Sequence, residues 1–96
     1  MLKIHKQHKA EQDLLNIWLY TFENWGIIQA DKYLDQIEES LNTIALNPDI
    51  GVNIDTIRQG YKKYQINEHI IFYTIKNSTI HVVRVLGNDM DYLHHL

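Results

Sequence analysis

Between Ile57 and Leu86 the chain gathers Arg58, Lys62, Lys63, Lys76 and Arg84 against a single acid, Glu68. Cations at this density bind carboxylates or phosphates, and arginine does so bidentately because its planar guanidinium matches an oxyanion. Tyr61, Tyr64, Phe72 and Tyr73 interleave with them, as on sheets that stack single-stranded nucleic acid, although core packing accounts for most of these rings. Six histidines raise a metal reading. Yet His5 and His8, His69 and His81, and His94 and His95 never recur at i, i+4 on a helix beside a carboxylate, which is the spacing that holds zinc. No metal or cofactor is expected. His69 reads as a hydrogen-bonded structural histidine at the end of a sheet, near Tyr61 and Arg84.

The charge is unevenly spread. Residues 1–57 carry four lysines and nine acids, a net −5, whereas 58–96 carry five basic and three acidic residues, a net +2. Such a split can steer an acidic segment or a phosphate backbone onto one face. Ninety-six residues make one domain, 1–96, with no room for a second catalytic unit. No apolar run approaches the roughly 18 residues of a membrane span, and Met1–Ala10 carries three lysines with no apolar stretch behind them, so neither a membrane segment nor a signal peptide is expected. The absence of cysteine removes disulfides and thiolate chemistry and fits a reducing compartment. A cytoplasmic location is the expectation.

The elements that must position these residues follow from periodicity. Leu2–Lys6 alternates as a short strand. From Lys9 the period becomes helical, with Leu14, Ile17, Trp18, Thr21 and Trp25 on one face, and Gly26 supplies the left-handed cap. A second helix, about Ile28–Leu46, presents Ala30, Tyr33, Leu34, Ile37, Leu41, Ile44 and Ala45 opposite Asp31, Asp35, Glu38 and Glu39. The short link makes the two an antiparallel hairpin. Pro48 stops the second helix. A loop to Gln59 leads to strands Gly60–Asn67, His69–Lys76 and Thr79–Leu86, joined by turns at Asn67-Glu68 and Asn77-Ser78. The middle strand is apolar on both faces, which predicts helices on one side and a partner or the tail on the other. Asp89 reads as the N-cap of a final helical turn.

Taken in order, the residues resemble the ParE branch of the RelE/ParE toxins of type II toxin–antitoxin systems. The matching features are Ala10, Asp13-Leu14, Ile17-Trp18 and Tyr20; Trp25-Gly26, Gln29-Ala30-Asp31 and Tyr33; and Leu46-Asn47-Pro48-Asp49-Ile50-Gly51. They continue through Ile57-Arg58-Gln59-Gly60-Tyr61-Lys62-Lys63, His69-Ile70-Ile71-Phe72-Tyr73, Val82-Val83-Arg84-Val85-Leu86 and Met90-Asp91. The resemblance implies an α+β fold of order β-α-α-β-β-β, with a helical hairpin packed on an antiparallel sheet and a short C-terminal helical turn. It also implies a non-enzymatic toxin that binds DNA gyrase and prolongs its cleaved-DNA state, and a ParD-like antitoxin that wraps it. Operator DNA would be met only indirectly, through the antitoxin complex.

The target-binding residues so implied are Arg58, Tyr61, Lys62, Lys63, His69, Tyr73, Arg84, Met90 and Asp91, with the segment Gly87–Leu96 as part of the toxic surface. The antitoxin-binding residues are Trp18, Trp25, Lys62, Lys63 and Arg84. Arg84 is also placed to pair with Asp89 or Asp91. Gly87 departs from the family pattern, in which a His often follows the Arg-Val-Leu unit, and this departure bears on potency. The alternatives are a RelE-type ribosome-dependent mRNA endonuclease and an inactive toxin retained as an antitoxin-binding co-regulator. Cleavage by 2′-hydroxyl attack needs a proton acceptor and a donor near the crowded phosphate. RelE-type nucleases tend to place a Tyr or His just past the last strand, where this chain has Leu86-Gly87-Asn88-Asp89, with Tyr92 the nearest titratable aromatic.

Overall fold

The apolar stripes of the two helices need a common surface to cover, and the sheet provides it. The computed structural model describes all residues, Met1–Leu96. In chain order the elements are β1 (Lys3–Lys6), α1 (His8–Trp25), α2 (Ile27–Leu46), β2 (Val52–Asn53), β3 (Lys62–Ile66), β4 (His69–Lys76), β5 (Thr79–Gly87) and a 3₁₀ turn at Tyr92–His94. The α+β architecture, the helical hairpin and the final helical turn agree with the sequence reading, and the helix bounds differ from it by one residue.

Gly26 ends α1 and starts α2 at φ 89°. A backbone at that angle suits a residue without Cβ, so the chain reverses within one residue. The two hairpin turns also use positive φ: Asn77 and Ser78 have φ 54° and 57°, and Asn67 has φ 50°.

The sheet has five strands in the order β1-β5-β4-β3-β2. Strands β2 to β5 form an antiparallel meander, but β1 lies parallel to β5, with Lys3 opposite Thr79 and Lys6 opposite Val82. The sheet is therefore mixed, whereas the sequence reading had it antiparallel throughout. Alternation of apolar residues marks a strand without giving its direction. The two-residue β2 lies within the stretch expected to be loop and is too short to show a period.

Two apolar layers sandwich β4. On the helical side Ala10, Leu14, Ile17, Ile37, Leu41, Ile44 and Ala45 meet Ile71, Tyr73, Ile80, Val82 and Val85. On the other side Ile70, Phe72 and Leu86 pack with Ile54, and partly buried Tyr61, Tyr92 and Leu96 cover them. The tail thus supplies the cover that the double-faced β4 requires. Each Leu or Ile so enclosed contributes about 1.5–3 kcal/mol. Trp18 and Trp25, placed on the buried face of α1 by the sequence reading, lie outside this core: Trp18 is half-buried and Trp25 exposed.

Candidate functional site

The sheet face turned away from the helices brings together most of the cations singled out above. Residues Met90–Leu96 fold back across it, with the Tyr92 ring on Phe72 at a centroid distance of 5.2 Å. Lys63 Nζ lies 5.7 Å from the Tyr92 ring centre, and the Arg58 guanidinium 5.6 Å from that of Tyr61. Arg58 donates to a main-chain oxygen of Leu96 at 2.7 Å and Arg84 to the His95 carbonyl at 3.3 Å. Arg58, Tyr61, Lys63 and Arg84 therefore rim the seat of the tail, and Arg58 and Lys63, which enter no side-chain ion pair, present positive charge beside its exposed side chains. Met90 is partly exposed there. Asp91 caps the final turn by accepting the Leu93 amide at 3.2 Å, a role the sequence reading gave to Asp89.

Arg84 is also held from the other direction. Its Nε and Nη2 donate to the two carboxylate oxygens of Asp13 at 2.7 and 2.8 Å, and Asp13 also accepts the Val85 amide at 3.0 Å. The partner is thus a residue of α1, and the expected pairing with Asp89 or Asp91 is replaced. Past Lys6, where β1 has ended, the Asp13 carboxylate satisfies an amide on the open edge of β5. The double hydrogen bond to Asp13 holds the guanidinium firmly charged, raising its pKa above the usual arginine value.

Lys62 and Tyr73 leave the group. Lys62 lies 4.0 Å from Asp49. Tyr73 has no exposed surface, so it cannot meet a target directly as the sequence reading expected. Its hydroxyl donates to the Pro48 carbonyl at 2.8 Å and accepts the Gly51 amide at 2.9 Å. A Cβ at Gly51 would run into the Tyr73 ring, which fixes glycine there. Tyr73 is the post on which the loop after α2 is tied, and its burial pushes the phenol pKa up.

His69 lies away from Tyr61 and Arg84. It stands opposite Gly87 in the β4–β5 register, and its Nδ1 is 2.6 Å from the Tyr33 hydroxyl. Burial pushes the imidazole pKa below the ordinary 6.5, although the carboxylates of Glu68, Asp89 and Asp13 oppose the shift. The pair lines a cleft of about 670 Å³ between the turn of the helical hairpin and the Asn67-Glu68 turn.

A third surface lies on α1. Leu15, Leu19 and Phe22 are exposed at steps of four and three. Trp18, stacked on Phe22 at 5.2 Å, extends this stripe and donates to Asp31 of α2 at 2.9 Å. Trp25, 65% exposed, closes its end. The spacing 15, 19, 22 was visible in the sequence, since a second apolar stripe beside Leu14, Ile17 and Thr21 is more than one core needs. The Asp13 clamp had no local signal.

These surfaces can be set beside those of known proteins. A family model described as the ParE toxin of the type II toxin–antitoxin system, parDE, matches residues 4–92. Toxin ParE1 of Mycobacterium tuberculosis (strain CDC 1551 / Oshkosh) is 41% identical over 83 residues, covering 85% of this chain and 85% of its own. Toxin ParE1 of Caulobacter vibrioides (strain ATCC 19089 / CIP 103742 / CB 15) is 31% identical over 88 residues, covering 92% of this chain and 91% of its own. Among solved structures, a chain of the chromosomal ParDE TA system from P. aeruginosa has a TM-score of 0.79 at 18% identity, covering 91% of this chain and 96% of that one. A chain of the heterotetrameric YoeB-YefM toxin-antitoxin complex from Staphylococcus aureus has a TM-score of 0.59 at 22% identity, covering 92% and 98%. These two speak for the fold, whereas the sequence matches speak for descent. By its agreement with the family over nearly its whole length, the chain belongs to the ParE toxins of type II toxin–antitoxin systems.

Proposed function

We propose that this toxin binds DNA gyrase through the tail-bearing sheet face and prolongs the enzyme's cleaved-DNA state, with no bond-breaking chemistry of its own. The observation that carries the reading is the convergence of Arg58, Lys63 and Arg84 around the seated tail in a chain of the ParE family. Arg58 and Lys63, which enter no side-chain ion pair, lie beside exposed Met90 and Asp91 and suit charge-assisted contacts to carboxylates or phosphates, while Arg84, paired with Asp13, holds the tail. Tyr92, the aromatic that a RelE-type cleavage would call on, packs against Phe72 at a tilt of 43°, which favours binding over catalysis.

A ParD-like antitoxin neutralises the toxin in this reading. The P. aeruginosa and S. aureus structures are of toxin–antitoxin systems. The exposed stripe Leu15, Trp18, Leu19 and Phe22 suits the apolar face of an amphipathic helix. Nanomolar affinity needs about −12 kcal/mol, and exposed ion pairs give about 0–1 kcal/mol each, so apolar burial on α1 supplies most of it. Operator DNA is reached through the antitoxin, and the setting is the cytoplasm.

The test is purified toxin with gyrase and supercoiled plasmid, scored for linear DNA, beside a ribosome-bound message. Linear plasmid supports the proposal. Cut message with gyrase untouched overturns it in favour of a nuclease, and neither result overturns it in favour of a co-regulator.

A further inference from the structure

The cleft at the hairpin turn has walls of contrasting chemistry. On the helical side stand Tyr20 and Trp25, their ring centroids 6.0 Å apart at 64°, both more than half exposed. On the sheet side stand Glu68 and Asp89, whose carboxylates enter no ion pair. No lysine or arginine lines the cleft. His69 sits against the same wall, and its burial keeps the ring neutral, so it does not offset the two acids at pH 7. The cleft thus couples open aromatic faces to uncompensated negative charge in a volume of about 670 Å³.

Aromatic faces attract a cation through the ring quadrupole, and a free carboxylate across the gap adds the counter-charge. Of the two cationic side chains, arginine fits better. Its plane stacks on an indole while its fork reaches a carboxylate, whereas an ammonium acts as a point charge.

We propose that this cleft receives an arginine side chain of the antitoxin, the segment that lies along α1 in the function proposed above, on which this inference rests. Trp25 ends the apolar stripe and also lines the cleft, so a helix following the stripe arrives at the two acids. The acidic first half of the chain, net −5, favours a basic residue there.

The probe is N-acetyl-arginine amide, titrated into the full chain while the Trp25 indole resonance is followed by NMR. Saturable shifts are expected, at least tenfold weaker for the citrulline analogue, and at least tenfold weaker again in the arginine titration when Glu68→Gln and Asp89→Asn are combined. Both acids are exposed, so the melting temperature of that double variant serves as the folding control. The same variant should bind the antitoxin at least tenfold more weakly than the parent chain. Equal shifts from citrulline, no saturation by arginine, or unchanged antitoxin affinity in the double variant overturns the inference. Failure of the parent chain to bind any antitoxin sinks the underlying function instead, and the small-molecule titration reads independently of it.

Discussion

Arg84 and Asp13, 71 residues apart in sequence, are joined by two hydrogen bonds of 2.7 and 2.8 Å, and the same carboxylate accepts the Val85 amide. Helix α1 is thereby fastened to the last strand at the point where β1 has run out. The arginine that faces the tail is thus oriented from behind, and its position depends on a residue that touches no proposed partner.

Replacing Asp13 with Ala removes three hydrogen bonds and leaves both the guanidinium and the Val85 amide short of a partner. The loss should be about 2–3 kcal/mol, in the range for a hydrogen bond to a charged group. Urea denaturation checks it. A change below about 0.5 kcal/mol, the scatter of ordinary surface substitutions, would show that the clamp contributes nothing.

Leu41 has no exposed surface, whereas Leu34 on the same helix is only half-buried. Leu41→Ala should therefore cost about 2–5 kcal/mol, and Leu34→Ala less than half as much. Equal losses in denaturant titrations of the two variants would mean that the helical layer is seated differently.

Stability should depend on pH through His69. Its folded pKa lies below the ordinary 6.5, so as pH falls the unfolded chain takes up the proton first. The neutral ring's contribution is complete well above 6.5 and declines as pH drops through that value. His69→Gln should flatten this part of a melting-temperature profile between pH 7.5 and 5.5, a span set on either side of about 6.5. An unaltered slope in the variant would place the titration elsewhere.

Tyr92→Ala should expose Phe72 and free Lys63, at a cost of about 1–3 kcal/mol from lost apolar burial and ring contact. The variant should stay folded by circular dichroism and lose potency as a growth inhibitor. Full potency in a variant with a demonstrably detached tail would remove the tail face from the toxic surface.

Gly87→His tests the departure from the family pattern. A Cβ there would stand 3.0 Å from an Asp89 carboxylate oxygen, so the change needs a side-chain shift of a few tenths of an ångström. Folding should survive, and growth inhibition should increase. Unchanged inhibition and unchanged gyrase binding would mean that residue 87 does not set potency.

The elements that sequence reading placed well are those whose apolar spacing repeats. Ile37, Leu41 and Ile44 mark α2 at every turn, and Ile70–Ile75 announces a strand covered on both sides. Non-local relationships left no such trace. Nothing in Leu2–Lys6 says that it runs parallel to Thr79–Gly87, and nothing near Asp13 names Arg84. Tyr73 and Trp25 differ from expectation for separate reasons: the family resemblance made Tyr73 a contact residue although its apolar strand points to core, and a tryptophan at helical spacing reads as core. In the fold the first is wholly enclosed and the second is 65% exposed. Of the expected site, Arg58, Tyr61, Lys63 and Arg84 do come together, while Lys62, His69 and Tyr73 are sent elsewhere by strand alternation and register.

The pairing of Lys3–Lys6 with Thr79–Val82 joins two segments that have both helices and three strands between them in the chain. Closing so long a loop is slow, and a chain still emerging from the ribosome holds its helical hairpin without the sheet it must cover. The arginine-rimmed face, which is built on β5, then exists only after translation has passed Gly87. The stripe Leu15, Leu19 and Phe22 on α1 precedes that face in the chain, so the apolar helical surface is made before the arginine-rimmed one.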